Sequence, residues 1–113
     1  KTAENDGVVL NIGLNYGGRD EIARAARRAM EDGISSEAMT SDVLERYLDT
    51  AGLPPVDLLI RTGGEKRLSN FMLWQLAYTE FYFTDTLWPD FKPADLDRAI
   101  EWFGQRNRRF GGV

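Results

Sequence analysis

Apolar residues fall along the chain in blocks whose spacing switches between strand-like and helical. Val8 to Tyr16, VVLNIGLNY, is β-branched and apolar enough for a buried strand, and Gly17-Gly18 stops it. From Asp20 onward Ile22, Ala25, Ala26, Ala29 and Met30 recur at helical spacing. Arg24, Arg27, Arg28 and Glu31 take the other side, and Gly33 suits a C-terminal cap. A shorter helix is predicted from Thr40 or Ser41, either of which can cap it; it buries Leu44, Tyr47 and Leu48 and ends at Gly52. Pro54-Pro55 forbids helix and hands the chain to a strand at Val56 to Thr62. Ser69 or Asn70 can cap a helix running to about Tyr78, and the aromatic run Glu80 to Thr84 reads as a third strand. Trp88-Pro89 is a loop, and Pro93 opens a last helix whose buried stripe is Leu96, Ala99, Ile100 and Phe103.

Strands separated by helices imply an α/β fold with a parallel sheet and flanking helices, in which ligands gather beyond the C-terminal ends of the strands. Arg61 stands at such an end. With 113 residues, no internal repeat and no linker, residues 1–113 form a single domain. The chain opens at Lys1 rather than methionine, as a piece of something longer would.

Composition narrows the chemistry. A formal charge of −4 speaks against a nucleic-acid binder, which needs a broad excess of Lys and Arg. The charge is uneven, however. Arg61 to Asn70 carries three cations and one anion, Gly104 to Val113 carries three arginines and no acid, and Tyr78 to Asp97 between them holds five acids against one lysine. Two basic islands on an acidic chain suit a small anionic ligand better than a polymer. With no cysteine, disulfides and thiolate metal sites are excluded and cytoplasmic residence is expected. With no histidine, carboxylates, arginines and hydroxyls are left to do any chemistry. No apolar run approaches the roughly 20 residues of a membrane span.

The stretch DLLIRTGGEKRLSNF, Asp57 to Phe71, concentrates the candidates. Arginine's planar fork binds phosphate oxygens in pairs, and a Gly-Gly backbone lets amides approach an anion that a Cβ would hold away. Ser69 and the free amides of a helix beginning there would add donors beside Arg61 and Arg67. The plainer alternative is a Gly-Gly turn whose arginines pair with nearby acids. The order Gly-x4-Gly-Lys-Ser/Thr of a nucleotide-binding loop is missing. Asn15 and Arg19 in NYGGRD are read as structural. Trp74, Tyr78, Phe81, Tyr82, Phe83 and Trp88 are assigned first to core or a subunit interface, second to the lining of an apolar channel.

DLLIRTGGEKRLSNFMLWQLAYTEFYFTDTLWPDF followed by RNRRFGG resembles the C-terminal half of a cis-prenyltransferase of the undecaprenyl diphosphate synthase type, and LNIGLNYGGRDEI fits the same family. The resemblance implies that Arg61, Arg67 and Ser69 hold the diphosphate of isopentenyl diphosphate, with Glu65 orienting that cluster. It implies that Glu80 helps bind Mg²⁺; on its residues alone Glu80 is equally an edge-strand carboxylate in solvent. Arg109 and Gly111, with Phe110 between them, match the family's Arg-x-Gly tail, which reaches the partner subunit's active site; otherwise they are a basic helix end favoured by the dipole.

The family's aspartate and Gly-Asn-x-Arg loop, which bind metal and the allylic diphosphate, have no counterpart in this sequence, so no catalytic residue is assigned. The implied protein is the isopentenyl diphosphate-binding, dimer-forming part of a Mg²⁺-dependent enzyme, inactive by itself. The whole enzyme would condense isopentenyl diphosphate onto an allylic prenyl diphosphate, with cis geometry. The expected product is a membrane-associated polyprenyl diphosphate, undecaprenyl by overall likeness, serving as a cell-wall lipid carrier. The expected enzyme is a cytoplasmic homodimer, peripheral to the inner membrane face. Two other classes stay open: a non-catalytic subunit or interaction module of the same fold, and a generic anion-binding α/β domain.

Overall fold

A computed structural model describes residues 3–106. Helix α1 spans Gly18–Glu31, α2 Ser41–Glu45 and α3 Pro93–Gly104; strands β1, Leu58–Arg61, and β2, Glu80–Phe83, pair in parallel, and a 3-10 turn covers Trp88–Asp90. The parallel pairing of these two strands is as the spacing predicts, and α/β is the fold class.

The register pairs Leu58 with Glu80 and Arg61 with Phe83. Partners in register share a face, and faces alternate along a strand. Leu59, Arg61, Phe81 and Phe83 therefore occupy one side, and Leu58, Ile60, Glu80 and Tyr82 the other. Helix α3 packs on the second side through Trp102, whose ring centroid lies 5.3 Å from that of Tyr82.

Local chemistry explains the helix ends. Thr40 accepts a hydrogen bond from the Val43 amide at 3.2 Å, capping α2. Pro93 takes the first position of α3, and the Asp95 carboxylate accepts from the Lys92 amide at 2.7 Å. Gly33, at φ 81°, closes α1 by placing the Ile34 amide 3.1 Å from the Ala29 carbonyl. Helix α2 stops earlier than its pattern predicts. The Asp49 amide, which would have extended the ladder to Glu45, donates instead to the Glu21 carboxylate at 2.8 Å.

Three expectations need correction. Val8 to Tyr16 is not a strand: the sheet has two strands among the described residues, and Val8, Leu10 and Leu14 are 93%, 79% and 84% exposed. Its β-branched pattern reports a surface that wants a pleated neighbour, and neither edge of this sheet supplies one. The second is the helix from Ser69. Ser69, Asn70 and Met72 adopt φ values of 50°, 68° and 45°, left-handed angles that exclude an α-helix there, and only isolated turns follow. The third concerns α3, where Ala99 is buried as expected but Leu96 and Ile100 are exposed. The burying stripe is rotated toward Trp102 and Phe103, the side that meets β2.

Helix α1 is buried along Gly18, Glu21, Ala25 and Ala29. Three of these are small or apolar and allow close approach; the fourth is a carboxylate that is 1% exposed.

Candidate functional site

Strand β1 delivers Arg61 to the C-terminal end of the sheet, where a cleft of about 350 Å³ opens. Its walls combine the apolar side chains of Leu59, Ile60, Leu68 and Phe71 with Arg61, Arg67 and Ser69. Arg61 donates through Nη1 to the Arg67 main-chain carbonyl and to Ser69 Oγ, the latter at 3.4 Å. Glu65 stands between the guanidiniums, ion-paired to Arg67 and 4.0 Å from Arg61 Nη2. Two cations against one anion leave the cluster net positive, and the pairing with Glu65 is also what the plainer alternative of arginines paired to a nearby acid describes. The structure therefore brings Arg61, Arg67, Ser69 and Glu65 together.

The glycines are used differently from their first reading. Gly63 and Gly64 have φ of 85° and 79°, and their amides donate to the carbonyls of Thr86 and Thr84 at 2.9 and 3.0 Å. Those donors are spent on the chain beyond β2, so the pair makes the turn of the plainer alternative and contributes no amide to an anion. Gly64 also needs its missing side chain, because a Cβ there would stand 3.1 Å from Asp85 Oδ1. The cationic and hydroxyl donors that line the cleft are the side chains of Arg61, Arg67 and Ser69.

Glu80 is not brought to this cluster. It begins β2 while Arg61 ends β1, on the opposite face and three register positions, or roughly 10 Å, away. Its carboxylate lies 3.6 Å from Arg106 Nε, and that guanidinium also sits 4.9 Å above the Trp102 ring. No group of three metal-ligating side chains occurs among the described residues. One carboxylate paired to a guanidinium does not fit a Mg²⁺ site, which needs near-octahedral oxygen donors. Arg109 and Gly111 lie outside the described residues.

The comparisons decide the family. The family profile described as an undecaprenyl diphosphate synthase matches residues 1–111. The chain belongs to the undecaprenyl diphosphate synthase family of cis-prenyltransferases. Isoprenyl transferases of Bacillus cereus and Clostridium tetani are 55% and 52% identical over 116 and 117 residues, covering 99% and 100% of this chain and 45% and 46% of theirs. The chain thus spans about half the length of the curated relatives it matches. Among solved structures, lavandulyl diphosphate synthase from Lavandula x intermedia, in complex with dimethylallyl diphosphate, superposes with a TM-score of 0.80 at 47% identity, over 87% of this chain and 44% of that one. A probable undecaprenyl diphosphate synthase from Campylobacter jejuni gives 0.74 at 42% identity, over 87% and 45%.

Several polar contacts around α1 have no local motif in the sequence. Glu21 accepts from Gln75 Nε2 at 2.9 and 3.1 Å, from the Asp49 amide and from the Tyr16 hydroxyl. Burial away from water, reinforced by the bond to Glu21, pushes the Tyr16 hydroxyl above its ordinary range. Arg24 chelates Asp49 at 3.0 and 3.1 Å and holds that carboxyl below its ordinary range. Asn70 reaches the start of α1. The one signal available for Glu21 was its place on the buried side of the α1 wheel, beside Ala25 and Ala29.

Proposed function

We propose that this chain holds isopentenyl diphosphate for a cis-prenyltransferase, with Arg61, Arg67 and Ser69 gripping the diphosphate. The observation that carries the reading is the convergence of two guanidiniums and a hydroxyl at the end of β1, beside apolar walls suited to a five-carbon tail. In the whole enzyme the alkene of isopentenyl diphosphate would attack the allylic carbon of a prenyl diphosphate. The new carbon–carbon bond forms as the allylic carbon–oxygen bond breaks, diphosphate leaves and a proton is lost. This chain's part is to fix the attacking substrate, which lowers the barrier by orientation. An undecaprenyl diphosphate product is supported by the description of the family and by the Campylobacter jejuni structure's name, and its use as a cell-wall lipid carrier is part of the proposal.

A leaving diphosphate calls for a cation, so Mg²⁺ belongs to the proposal for the whole enzyme, where it would offset the charge on the departing group. Homodimerisation also belongs to it, supported by the exposed Leu96 and Ile100 on α3 and by Trp88 stacked on Phe91 at 6.0 Å. No described helix is long and apolar enough to cross a membrane; peripheral contact with the inner membrane face belongs to the proposal for the whole enzyme. The separation of Glu80 from the cleft favours a second reading, in which the chain supports a catalytic partner rather than completing the reaction itself.

Calorimetric titration of the 113-residue chain tests the site. Isopentenyl diphosphate and inorganic pyrophosphate are expected to bind at least about tenfold more tightly than sulfate, equivalent to ~1.4 kcal/mol. Glu80→Gln, facing away from the cleft, should leave that binding unchanged. Equal affinities for pyrophosphate and sulfate would make this a generic anion site.

A further inference from the structure

A run of left-handed backbone borders the cleft. Ser69, Asn70 and Met72 are three left-handed, non-glycine residues within four positions. Such angles disfavour L side chains and persist only where the surroundings over-determine them. Asn70 is the residue so determined. Its main-chain carbonyl accepts from the Gly18 amide at 2.6 Å, and its Oδ1 accepts from the Arg19 amide at 2.9 Å.

These are among the first amides of α1, which have no partner within the helix, and the cap residue Gly17 provides no side-chain cap. Asn70 thus caps α1 from fifty residues away, and α1 in return clamps Asn70 at two points. The contact leaves no slack: a Cβ on Gly18 would come within 2.9 Å of Leu73 Cγ and 3.0 Å of the Asn70 carbonyl.

Asn70 does not line the cleft, but both its neighbours do. Ser69 Oγ is the group 3.4 Å from Arg61 Nη1, and Phe71 packs edge-on against Tyr16 with centroids 5.7 Å apart. Releasing Asn70 to an ordinary φ would swing the peptide that carries Ser69 away from Arg61.

We propose that Asn70 is a positioning residue of the diphosphate cleft, in which its two-point clamp on the first turn of α1 fixes Ser69 beside Arg61. This rests on the diphosphate reading of the cleft. The clamp makes the start of α1, which touches no ligand, part of the geometry that recognises one.

A double-mutant cycle read by pyrophosphate calorimetry on the 113-residue chain tests it. Asn70→Ala is expected to weaken binding about tenfold, the equivalent of ~1.4 kcal/mol and the size of a lost hydrogen bond to an ionised group. Ser69→Ala alone should weaken binding by about the same factor, and in the Asn70→Ala background it should add almost nothing, because the hydroxyl has already left. Additive losses, or wild-type affinity in Asn70→Ala with a lowered melting temperature, would reduce Asn70 to a structural cap. Should Asn70→Ala fail to fold, Asn70→Gly tolerates the left-handed angle and loses only the Oδ1 bond to Arg19. A partial loss of affinity is then expected, and full affinity overturns the proposal. A wild-type chain that binds no pyrophosphate sinks the reading of the cleft itself; binding with unaltered Asn70 variants sinks the positioning role alone.

Discussion

Arg61→Ala, made in the whole enzyme, is expected to raise KM for isopentenyl diphosphate about a hundredfold, or ~2.7 kcal/mol, with little change in kcat or in KM for the allylic substrate. The size follows from the contacts available. A guanidinium presenting two charge-assisted hydrogen bonds to phosphate loses both on truncation, and each is worth roughly 1.5–3 kcal/mol before competition with water and with Glu65 is counted. The selectivity follows from placement. Arg61 ends β1 beside Ser69 and Arg67 in one cleft, whereas Arg106 pairs with Glu80, whose register position lies on the other face of the sheet. A smaller effect is expected at Arg67, whose side chain is 68% exposed against 28% for Arg61 and is already engaged by Glu65. Initial-rate kinetics with each substrate varied in turn would check this. A parallel rise in both KM values would mean that Arg61 serves the architecture of the whole site rather than one diphosphate.

What could be read in the sequence, and what could not, divides along a physical line. Features set by a residue and its immediate neighbours were legible: the Thr40 cap, the Pro93 start, the Gly33 stop and the delivery of Arg61 to a strand end. Features that depend on a partner distant in the chain were not. Val8 to Tyr16 has the pattern of a buried strand but pairs with neither strand of the sheet among the described residues, and Val8, Leu10 and Leu14 stand exposed. Ser69 or Asn70 looks suited to cap a helix running to about Tyr78, yet Asn70 takes a left-handed angle and is held against the start of α1 at the point where that helix would begin. Gly63-Gly64 looks suited to an anion until the carbonyls of Thr84 and Thr86 are seen to occupy its amides. Even for the cleft, the sequence supplied the donors but not their support. Glu21, Gln75 and Asn70 are polar residues with no local motif, and only the packed chain shows what they hold.

That support gives the second large effect. Glu21→Ala is expected to cost about 3 kcal/mol or more of folding stability, seen as a fall in the urea midpoint without a change in slope. Glu21 is 1% exposed and is the acceptor for Gln75 Nε2, the Asp49 amide and the Tyr16 hydroxyl. Deleting it strands donors in a place water reaches poorly, at roughly 1–3 kcal/mol for each one left unmet. Glu21→Gln keeps one carbonyl oxygen but turns an amide toward the same donors, so a loss of about half that size is expected. The consequence extends beyond stability. Glu21 joins α1 to the turn after α2 through Asp49, and to the segment behind the cleft through Gln75 and through Tyr16, whose ring bears on Phe71. A variant that still folds should therefore bind pyrophosphate more weakly, though Glu21 is nowhere among the residues that line the cleft. A cost below ~1 kcal/mol would show that water or a shifted backbone replaces the carboxylate, and that α1 and the cleft are held together by apolar packing alone.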